Sequence, residues 1–549
     1  MSAGHEVKKR HLRWLSVNSS YSHSSLALPL LHAACREIDG WEWSVLETTV
    51  GEDAAETAVR LAASDCDLVC ATLYLFNRNA VLEILRRFHL LQPDVPIAVG
   101  GPECLGGGAE ELLARFSFLH VAFRGEGEEL FPWFLKEFPE SLKKRIVPES
   151  GNGVFADWAA SPPPVLDPFF RTDRPFVQME TSRGCPMGCL YCTSCRTDLR
   201  FKSIDAVAEE LEILRSRGVR EIRVLDRTFN FPLSRGEALL KLFRTRFPEM
   251  RFHLEVHPQF LDATLREELS EAVEGQLHLE AGVQSLDPAV QNAIGRRGDR
   301  EEVLSGLRFL CGQPGLAVHA DLLSGLPEQS LESLLEDVST LIAVGPAEIQ
   351  LEVLKVLPGT PLRARAGELG ILFSPETPYD VIRSSRMSPE EILTARDISR
   401  ILDLTSNHPS LHSVIRLARL RNAAVIPDLL TFFRANGFHP HRLYDLKKRF
   451  LLLETFLSGS GDAAASFRLS SEWIRAGYPP GEGPGKRAEA LPELPDGARA
   501  VEGNPACARE RETKFWCVRE EEDTFCFAFN RKYSINRPAG IWRIGSGRA

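Results

Sequence analysis

Residues 175–192 read PFVQMETSRGCPMGCLYC, a strand-like run followed by a loop of glycine, proline and cysteine. Its cysteines, Cys185, Cys189 and Cys192, are separated by three and then by two residues. Thiolates are the soft ligands that iron–sulfur clusters select, and this spacing lets three of them grip one face of a four-iron cube. A zinc site would show a second Cys/His pair downstream, and none follows at zinc spacing. The loop therefore predicts a metal centre with one iron open; a set of buried structural cysteines is the alternative.

An aromatic residue, Tyr191, precedes the last cysteine, and with it the loop resembles the signature of the radical S-adenosylmethionine (SAM) enzymes. The resemblance implies a 4Fe-4S cluster held by Cys185, Cys189 and Cys192, with SAM chelating the open iron. It also implies reductive cleavage of SAM to a 5′-deoxyadenosyl radical. Cys195 departs from the minimal motif, and because a fourth thiolate would block SAM, we interpret it as a nearby non-ligand.

The composition limits the number of domains, the cellular compartment and the partners that we expect for this protein. A chain of 549 residues has room for about three or four domains. No run of about 18 apolar residues is present, and the first residues lack the apolar core of a signal peptide. Twelve cysteines in so long a chain are typical of a reducing compartment, so we expect a cytoplasmic protein without membrane contact. A net charge of −10 argues against broad nucleic-acid binding.

The N-terminal part alternates short apolar runs with amphipathic stretches, which predicts a doubly wound parallel sheet covered by helices. The predicted strands are 12–17, 43–47, 68–73, 97–99 and 119–123, and predicted helices include 54–63, 79–90 and 110–116. Ligands of such sheets bind beyond the carboxyl ends of the strands. Four polar or glycine-rich loops follow these strands, at 18–24, 74–78, 100–103 and 124–128. Each loop alone is more often a simple turn, but four on one edge predict a ligand site.

The Val-Gly-Gly-Pro-Glu and Gly-Glu-Gly-Glu runs of this region resemble the cobalamin-binding subfamily of radical SAM enzymes. The resemblance implies a cobalamin that lies against this domain. The residues it implies as contacts are Asn18, Ser22, His23, Tyr74, Leu75, Phe76, Gly100, Gly101, Glu103, Gly125 and Glu126. The Asp-x-His-x-x-Gly motif that brings a histidine under cobalt in other cobalamin proteins is absent. We therefore expect no protein imidazole on the metal, with residues 74–77 covering the lower face of the corrin.

After the cysteines, strand–helix alternation resumes over six units and predicts a partial (β/α)6 TIM-like barrel with its site at the carboxyl ends of the strands. The predicted strands after residue 192 are 221–225, 251–256, 276–281, 317–323 and 348–356. The family resemblance places SAM against the loops after these strands. The residues it implies are Asp226, Arg227, Glu280, Gln284 and Ser285, whereas helix capping is the alternative for Asp226.

The fold class predicted from the whole chain is α/β, with a mainly helical C-terminal domain that ends in a β hairpin at 514–518 and 525–529. The predicted domains are a cobalamin-binding Rossmann-like domain at 1–140, a linker at 141–174, a radical SAM domain at 175–386 and the C-terminal domain at 387–549. A glycine- and proline-rich stretch near 477–503 is predicted to be mobile. The C-terminal region resembles an extension of some cobalamin-dependent radical SAM proteins, which implies no substrate.

These features favour a cobalamin-dependent radical SAM methyltransferase that acts on an unactivated carbon of a small-molecule or peptide substrate. Three alternatives remain open: a rearrangement, ring contraction or cyclisation with the same cofactors; a tRNA methylthiotransferase; and a corrinoid carrier or sensor without turnover. The hypotheses in which the protein is an enzyme require an electron donor such as flavodoxin or ferredoxin. The sequence names no catalytic residue beyond the cofactor ligands.

Overall fold

The computed structural model describes residues 9–149, 157–160, 162–195, 197–296, 298–520, 523–534 and 537–545. The chain divides into two compact units. The first comprises residues 1–317, 325–329 and 353–389, and the second comprises 318–324, 330–352 and 390–549. None of the described helices is both long and apolar enough to cross a bilayer.

The first unit begins with a parallel sheet covered by helices on both faces, as predicted. Its strands are β1 Arg10–Asn18, β2 Trp41–Thr49, β3 Leu68–Thr72, β4 Ile97–Gly100, β5 Val121–Phe123 and β6 Ile146–Val147. Its helices are α1 Ala27–Ala34, α2 Ala54–Ala62, α3 Arg78–Leu91, α4 Gly108–Arg115 and α5 Leu130–Lys136. The strand order is β2-β1-β3-β4-β5-β6. The reversal of order at β1 and β3 is the switch point at which such sheets bind ligands.

Alternate side chains of the buried strands explain the two cores of this sheet. Val69 and Ala71 of β3 pack with α2 and α3, whereas Leu68 and Cys70 pack with α1 and α5 on the opposite face. The prediction of five strands was wrong by one, because β6 lies in the stretch expected to be an extended linker. That stretch also contains two short 3-10 turns, at Trp158–Ala160 and Pro164–Leu166.

The strand–helix alternation predicted after the cysteines is confirmed element by element. The strands are β7 Val177–Met179, β8 Ser182–Cys185, β9 Thr197–Phe201, β10 Glu221–Val224, β11 Arg251–Val256, β12 Leu277–Gln284, β13 Leu316–Ser324, β14 Glu348–Val353, β15 Leu372–Phe373 and β16 Val381–Arg383. The helices are α6 Ile204–Ser216, α7 Leu233–Arg246, α8 Ala263–Ser270, α9 Pro288–Ala293, α10 Arg300–Cys311, α11 Leu331–Val344 and α12 Pro361–Arg365. Within the first unit β7, β10, β11 and β12 are neighbouring parallel strands in that order. Closure into a partial barrel stays a prediction.

The second unit contains α11 and most of β13 and β14, followed by the predicted helical region. Its further helices are α13 Pro389–Leu404, α14 Pro409–Arg421, α15 Val425–Ala435, α16 Leu446–Ser460 and α17 Ala463–Arg475. The strands that follow are β17 Glu489–Leu491, β18 Arg499–Gly503, β19 Lys514–Arg519, β20 Asp523–Phe529 and β21 Gly540–Gly545. They form an antiparallel sheet in the order β17-β19-β20-β21-β18, so the predicted hairpin is only its centre. The stretch 477–503, which was predicted to be mobile, contains β17 and β18, and its mobility stays a prediction.

Candidate active site

The cysteine loop is held between two short antiparallel strands, β8 and β9. Gly184, directly before the first cysteine, has a φ of +96°, and a Cβ atom there would overlap the backbone oxygen of Asp198 on β9. A glycine is therefore required at this position. Cys185 and Cys189 are buried and pack with Met187, so the start of the loop is fixed by both backbone and side-chain contacts.

Each of the three cysteine sulfurs has a polar neighbour. Thr228 Oγ1 lies 3.4 Å from Cys185 Sγ, and the backbone N–H of Ser194 donates to Cys192 Sγ at 3.4 Å. Arg296 Nη1 donates to Cys189 Sγ at 3.5 Å. Donors of this kind stabilise the negative charge of thiolates and tune the potential of the metal centre that they bind. Since burial raises the pKa of the Cys192 thiol, a bound cation is what would favour its thiolate. The donor set therefore fits an iron–sulfur cluster.

Among the residues that the structure describes, no three His, Cys, Asp or Glu side chains converge on a point that one metal ion could occupy. Cysteines that each bind a different iron of one cluster need no such convergence.

Asp226, in the loop directly after β10, fixes the backbone that leads into the cysteine loop. Its carboxylate accepts hydrogen bonds from the backbone N–H groups of Thr181 at 2.7 Å and Ser182 at 2.9 Å, and from the Thr181 hydroxyl. Burial raises the pKa of this carboxyl, and the same hydrogen bonds oppose the rise. With these donors Asp226 acts as a local anchor, and its predicted contact with SAM stays a prediction.

A cavity of about 560 Å³ opens at the carboxyl ends of the N-terminal strands. Its wall also includes residues on either side of the cysteines, among them Ser182, Gly184 and Ser194. The predicted cofactor residues in the wall are Asn18, His23, Tyr74, Phe76, Gly100, Gly101, Gly125, Glu126 and Arg227. The predicted residues outside the wall are Ser22, Leu75, Glu103, Asp226, Glu280, Gln284 and Ser285. The predicted loops therefore do meet at one edge of the sheet.

Two of the residues outside the wall have structural partners. Glu103 is buried, with its Oε2 3.2 Å from Arg78 Nε, and it accepts a hydrogen bond of 2.6 Å from the Tyr379 hydroxyl. Ser285 is buried and accepts a hydrogen bond of 3.1 Å from the backbone N–H of Asp287. Both residues therefore have structural roles in the fold.

Glu280 and Arg227 belong to a charged group on β11, β12 and the loop after β10. Glu280 lies 3.0 Å from His253 Nε2, and Arg227 lies 3.6 Å from Glu255. Burial raises the pKa of Glu255, Arg227 opposes the rise and Glu280 adds to it. Gln284 ends β12 with a φ of +69°, a strained value for a residue other than glycine. Acid, base and strained backbone thus occur together beside the cysteine loop.

The rings beside the cavity include an unusual pair. Tyr74 and Phe76 stack at 5.5 Å with an interplanar angle of 11°, and Phe76 is about half exposed. Burial raises the pKa of Tyr74 to about 12, so its hydroxyl stays protonated at neutral pH. His23 packs its ring against Phe176 at 4.9 Å, and its Nδ1 lies 2.9 Å from Ser20 Oγ. Burial lowers the pKa of His23, so the imidazole is neutral at neutral pH.

An ion network that sequence reasoning did not find joins the cavity wall to the cysteine loop. Arg183 lies 2.7 Å from Glu128, 2.8 Å from Glu180 and 3.2 Å from Glu126, and Arg200 donates to Glu126 at 2.8 Å. The Arg183 guanidinium also lies over the ring of Trp158, 4.6 Å from its centroid. Thr228 and Arg296, the polar neighbours of the sulfurs, were missed as well. Thr228 follows Arg227 directly, so its loop was the available signal, whereas no spacing rule identifies Arg296.

Comparison with known proteins agrees with this arrangement. Residues 179–341 match the model of the radical SAM superfamily, so this part of the chain is a radical SAM domain. Two solved structures share the fold of most of the chain: the radical S-adenosylmethionine methyltransferase TsrM from Kitasatospora setae and the cobalamin-dependent S-adenosylmethionine radical enzyme OxsB. TsrM is 19% identical with a TM-score of 0.55, covering 70% of this chain and 82% of its own. OxsB is 15% identical with a TM-score of 0.57, covering 83% of this chain and 80% of its own.

Among curated proteins, the chain is similar to the 2-(S-pantetheinyl)-carbapenam-3-carboxylate methyltransferase of Streptantibioticus cattleyicolor. The two are 23% identical over 339 residues, which cover 54% of this chain and 48% of the relative. The chain thus spans about half the length of the curated relatives it matches. The α/β fold is shown by these comparisons, whereas the activity has to be argued from the site.

Proposed function

We propose that this protein is a cobalamin-dependent radical SAM methyltransferase that acts on an unactivated carbon. The observation that carries the proposal is the 560 Å³ cavity, whose wall combines the strand ends of the N-terminal sheet with residues that flank the cysteine loop. A corrin in this cavity would lie beside a cluster on Cys185, Cys189 and Cys192. The names of TsrM and the carbapenam enzyme, both methyltransferases, support the same reading.

When bound, the cluster supplies the electron that cleaves SAM and the corrinoid carries the methyl group. The chain itself positions these groups and excludes water. Asp226 holds the backbone that leads to Cys185, and Arg183 ties that loop to Glu126 and Glu128 of the cavity wall. The stacked rings of Tyr74 and Phe76 offer an apolar surface for one face of the corrin. His23 lies in the cavity wall with its Nδ1 2.9 Å from Ser20 Oγ and its ring against Phe176, and a cobalt without a protein imidazole stays a prediction.

The substrate is proposed to be a small molecule or peptide, and the reductant a one-electron donor such as flavodoxin or ferredoxin. A tRNA methylthiotransferase is less well supported, because the cysteines of the N-terminal domain lie on opposite faces of the sheet. Cys35 and Cys70 pack in one core, whereas Cys66 and Cys104 pack in the other. They are not arranged as ligands of a second cluster.

The test uses anaerobically purified and reconstituted protein with SAM that carries a deuterated methyl group. We expect four irons and one cobalamin per chain, and equimolar methylated product, 5′-deoxyadenosine and S-adenosylhomocysteine when candidate substrates are supplied. Consumption of the substrate with formation of 5′-deoxyadenosine from SAM, but without methyl transfer, would reject the methyltransferase and favour a rearrangement. Absence of cobalt binding would reject the whole proposal.

Matched variants separate the cluster ligands from their neighbour. Cys185→Ala should abolish SAM cleavage, whereas Cys195→Ala should retain the cluster and cleavage. Loss of the cluster in Cys195→Ala with retention in Cys185→Ala would contradict the ligand assignment. Turnover that survives Cys185→Ala would favour chemistry without an open iron.

A further inference from the structure

Two cysteines face each other in the centre of the C-terminal antiparallel sheet. Cys517 of β19 and Cys526 of β20 are directly opposed in the register of the two strands. Both are free thiols, and both are buried on the same side of the sheet, in a core that also contains Phe515 and Trp542. A single buried cysteine is an ordinary core residue. Two cysteines at directly opposed positions differ, because the register places their side chains next to each other.

The hydrogen-bond pattern of the two strands decides how closely these side chains approach. The backbone N–H of Glu520 donates to the carbonyl of Asp523, the residue opposite it, at 2.7 Å, so these two residues form a hydrogen-bonded pair. Hydrogen-bonded and non-hydrogen-bonded pairs alternate along an antiparallel ladder. Cys517 and Cys526 lie three positions further along and therefore form a non-hydrogen-bonded pair. In such pairs the Cα atoms are about 4.5 Å apart and opposed side chains come closest.

A disulfide fits this separation at the lower end of its range. Bridged cysteines have Cα atoms about 4.4–6.8 Å apart and Cβ atoms about 3.5–4.5 Å apart. Opposed Cβ atoms of a sheet are about 4.5–5.5 Å apart, and closer in non-hydrogen-bonded pairs, so a small shift of the two strands would close the bond. A bond closed at the expense of such a shift is more easily reduced than an unstrained one. The geometry therefore suits a reversible disulfide.

A third cysteine of the same core has no cysteine opposite it. Cys507 lies in the 3-10 turn Pro505–Arg509, outside the strands, and its carbonyl accepts a hydrogen bond of 2.6 Å from the Thr513 hydroxyl. It is buried in the same core as the other two cysteines. Cys507 is therefore an internal comparison, a buried thiol that the strand register does not pair.

We propose that Cys517 and Cys526 are a dithiol site at which low-molecular-weight disulfides, such as oxidised glutathione, form a reversible cross-strand disulfide. The thiolate of one cysteine attacks the oxidant and releases one glutathione, and the thiolate of the other cysteine then displaces the second. Two protein thiols and one glutathione disulfide thus give one protein disulfide and two glutathione thiols, which take up the two protons that the cysteines lose. The site needs neither a cluster nor a corrin.

The burial of the pair sets the rate of this exchange. Burial raises the pKa of both cysteines, and that of Cys526 to about 11, with Cys517 adding to the rise. Because the thiolate is the attacking species, the exchange is slow at neutral pH and becomes faster as the pH rises. Incubation over hours at mildly alkaline pH is therefore the appropriate condition for a test.

Tryptic digestion separates the three cysteines. They fall in different peptides, 500–509, 515–519 and 520–531. Full-length protein is incubated anaerobically with oxidised glutathione, the remaining thiols are blocked, and the digest is analysed by mass spectrometry without reductant. We expect 515–519 joined to 520–531, about tenfold or more above either peptide joined to 500–509, because only Cys517 and Cys526 are opposed. Dithiothreitol should reverse the link.

Alanine variants and hydrogen exchange complete the test. Cys517→Ala and Cys526→Ala should remove the link, whereas Cys507→Ala, the matched control, should retain it. Oxidation should slow amide exchange in β19 and β20 of the wild type and of Cys507→Ala, because the two strands are then joined covalently, and should leave it unchanged in the other two variants. The proposal is overturned if the native wild type forms no link, if the link forms only after unfolding in urea, or if Cys507 is linked in comparable yield.

Discussion

Replacement of Glu103 by alanine should destabilise the protein while leaving the cavity intact. The Glu103 side chain is 3% exposed and the Arg78 side chain 8% exposed, and their charged atoms are 3.2 Å apart. The alanine variant leaves Arg78 as a buried charge without its partner and removes the acceptor of the Tyr379 hydroxyl. Breaking a buried pair from one side costs about 3–5 kcal/mol of unfolding free energy.

Glu103→Gln should be milder, because the amide still offers an oxygen to Tyr379. We expect a smaller loss than for Glu103→Ala, because the amide has the shape of the protonated carboxyl and keeps a neutral acceptor for the Tyr379 hydroxyl. Burial raises the pKa of Glu103 in the folded state, although Tyr379 and Arg78 oppose the rise. The contribution of Glu103 is therefore largest below its unfolded pKa of about 4.3 and declines as the pH rises through the folded value. The gap between wild type and Glu103→Gln should accordingly narrow from pH 4 to pH 7.

The assay is urea unfolding followed by tryptophan fluorescence, with cobalt content after reconstitution as the second readout. Glu111→Ala is the matched control, because its carboxylate is 60% exposed and pairs with Arg363 at 2.8 Å; it should cost less than about 1 kcal/mol. The reasoning is refuted if Glu103→Ala costs no more than Glu111→Ala. A folded Glu103→Ala variant that no longer retains corrinoid would instead restore Glu103 as a cofactor contact.

Three further predictions concern the surroundings of the site. Asp226→Ala should lower the free energy of unfolding by about 3–5 kcal/mol and reduce iron and sulfide per chain, because three buried donors lose a charged acceptor; normal iron content would contradict it. Gly101→Ala should cost about 1–3 kcal/mol in urea unfolding, since its φ is +99° and a Cβ would lie 2.7 Å from the Leu73 oxygen, whereas Gly107→Ala, with open space around it, should be nearly neutral. Burial lowers the pKa of His257 to about 3, so below pH 6.5 the unfolded chain binds a proton that the folded protein does not, and the free energy of unfolding falls as the pH falls. His257→Gln should therefore remove about 2 kcal/mol of the decrease in unfolding free energy between pH 7 and pH 5. An unchanged dependence of unfolding free energy on pH in this variant would contradict the prediction.

The sequence allowed the strands and helices of the parallel regions to be predicted, because buried parallel strands are continuous apolar runs between helices with clear periodicity. The strands β6, β17 and β18 could not be predicted from the sequence. Ile146–Val147 is only two residues long, and β18 is exposed along its whole length, so neither has an apolar pattern. Antiparallel pairing with β21 orders β18 although its own residues give no signal.

Cavity residues were predictable to the level of the loop but not of the side chain. Tyr74 and Phe76 line the cavity whereas Leu75 between them does not. A loop has no regular periodicity, so this alternation could not be predicted from the sequence. Glu103 follows the glycines of its loop just as Glu126 follows Gly125, yet Glu103 turns into the protein to meet Arg78. The difference depends on partners distant in sequence, Tyr379 in one case and Arg200 in the other.

The Gly-Glu-Gly-Glu run shows why a motif can be required without its side chains binding a cofactor. Glu126 and Glu128 are both committed to Arg183, whose backbone lies two residues before Cys185. The carboxylates thereby fix the end of β5 to the cysteine loop through charged hydrogen bonds of 2.7 to 3.2 Å. Because charges paired in this way contribute little net attraction for a further ion, the wall they form would suit the neutral amides of the proposed corrin ring.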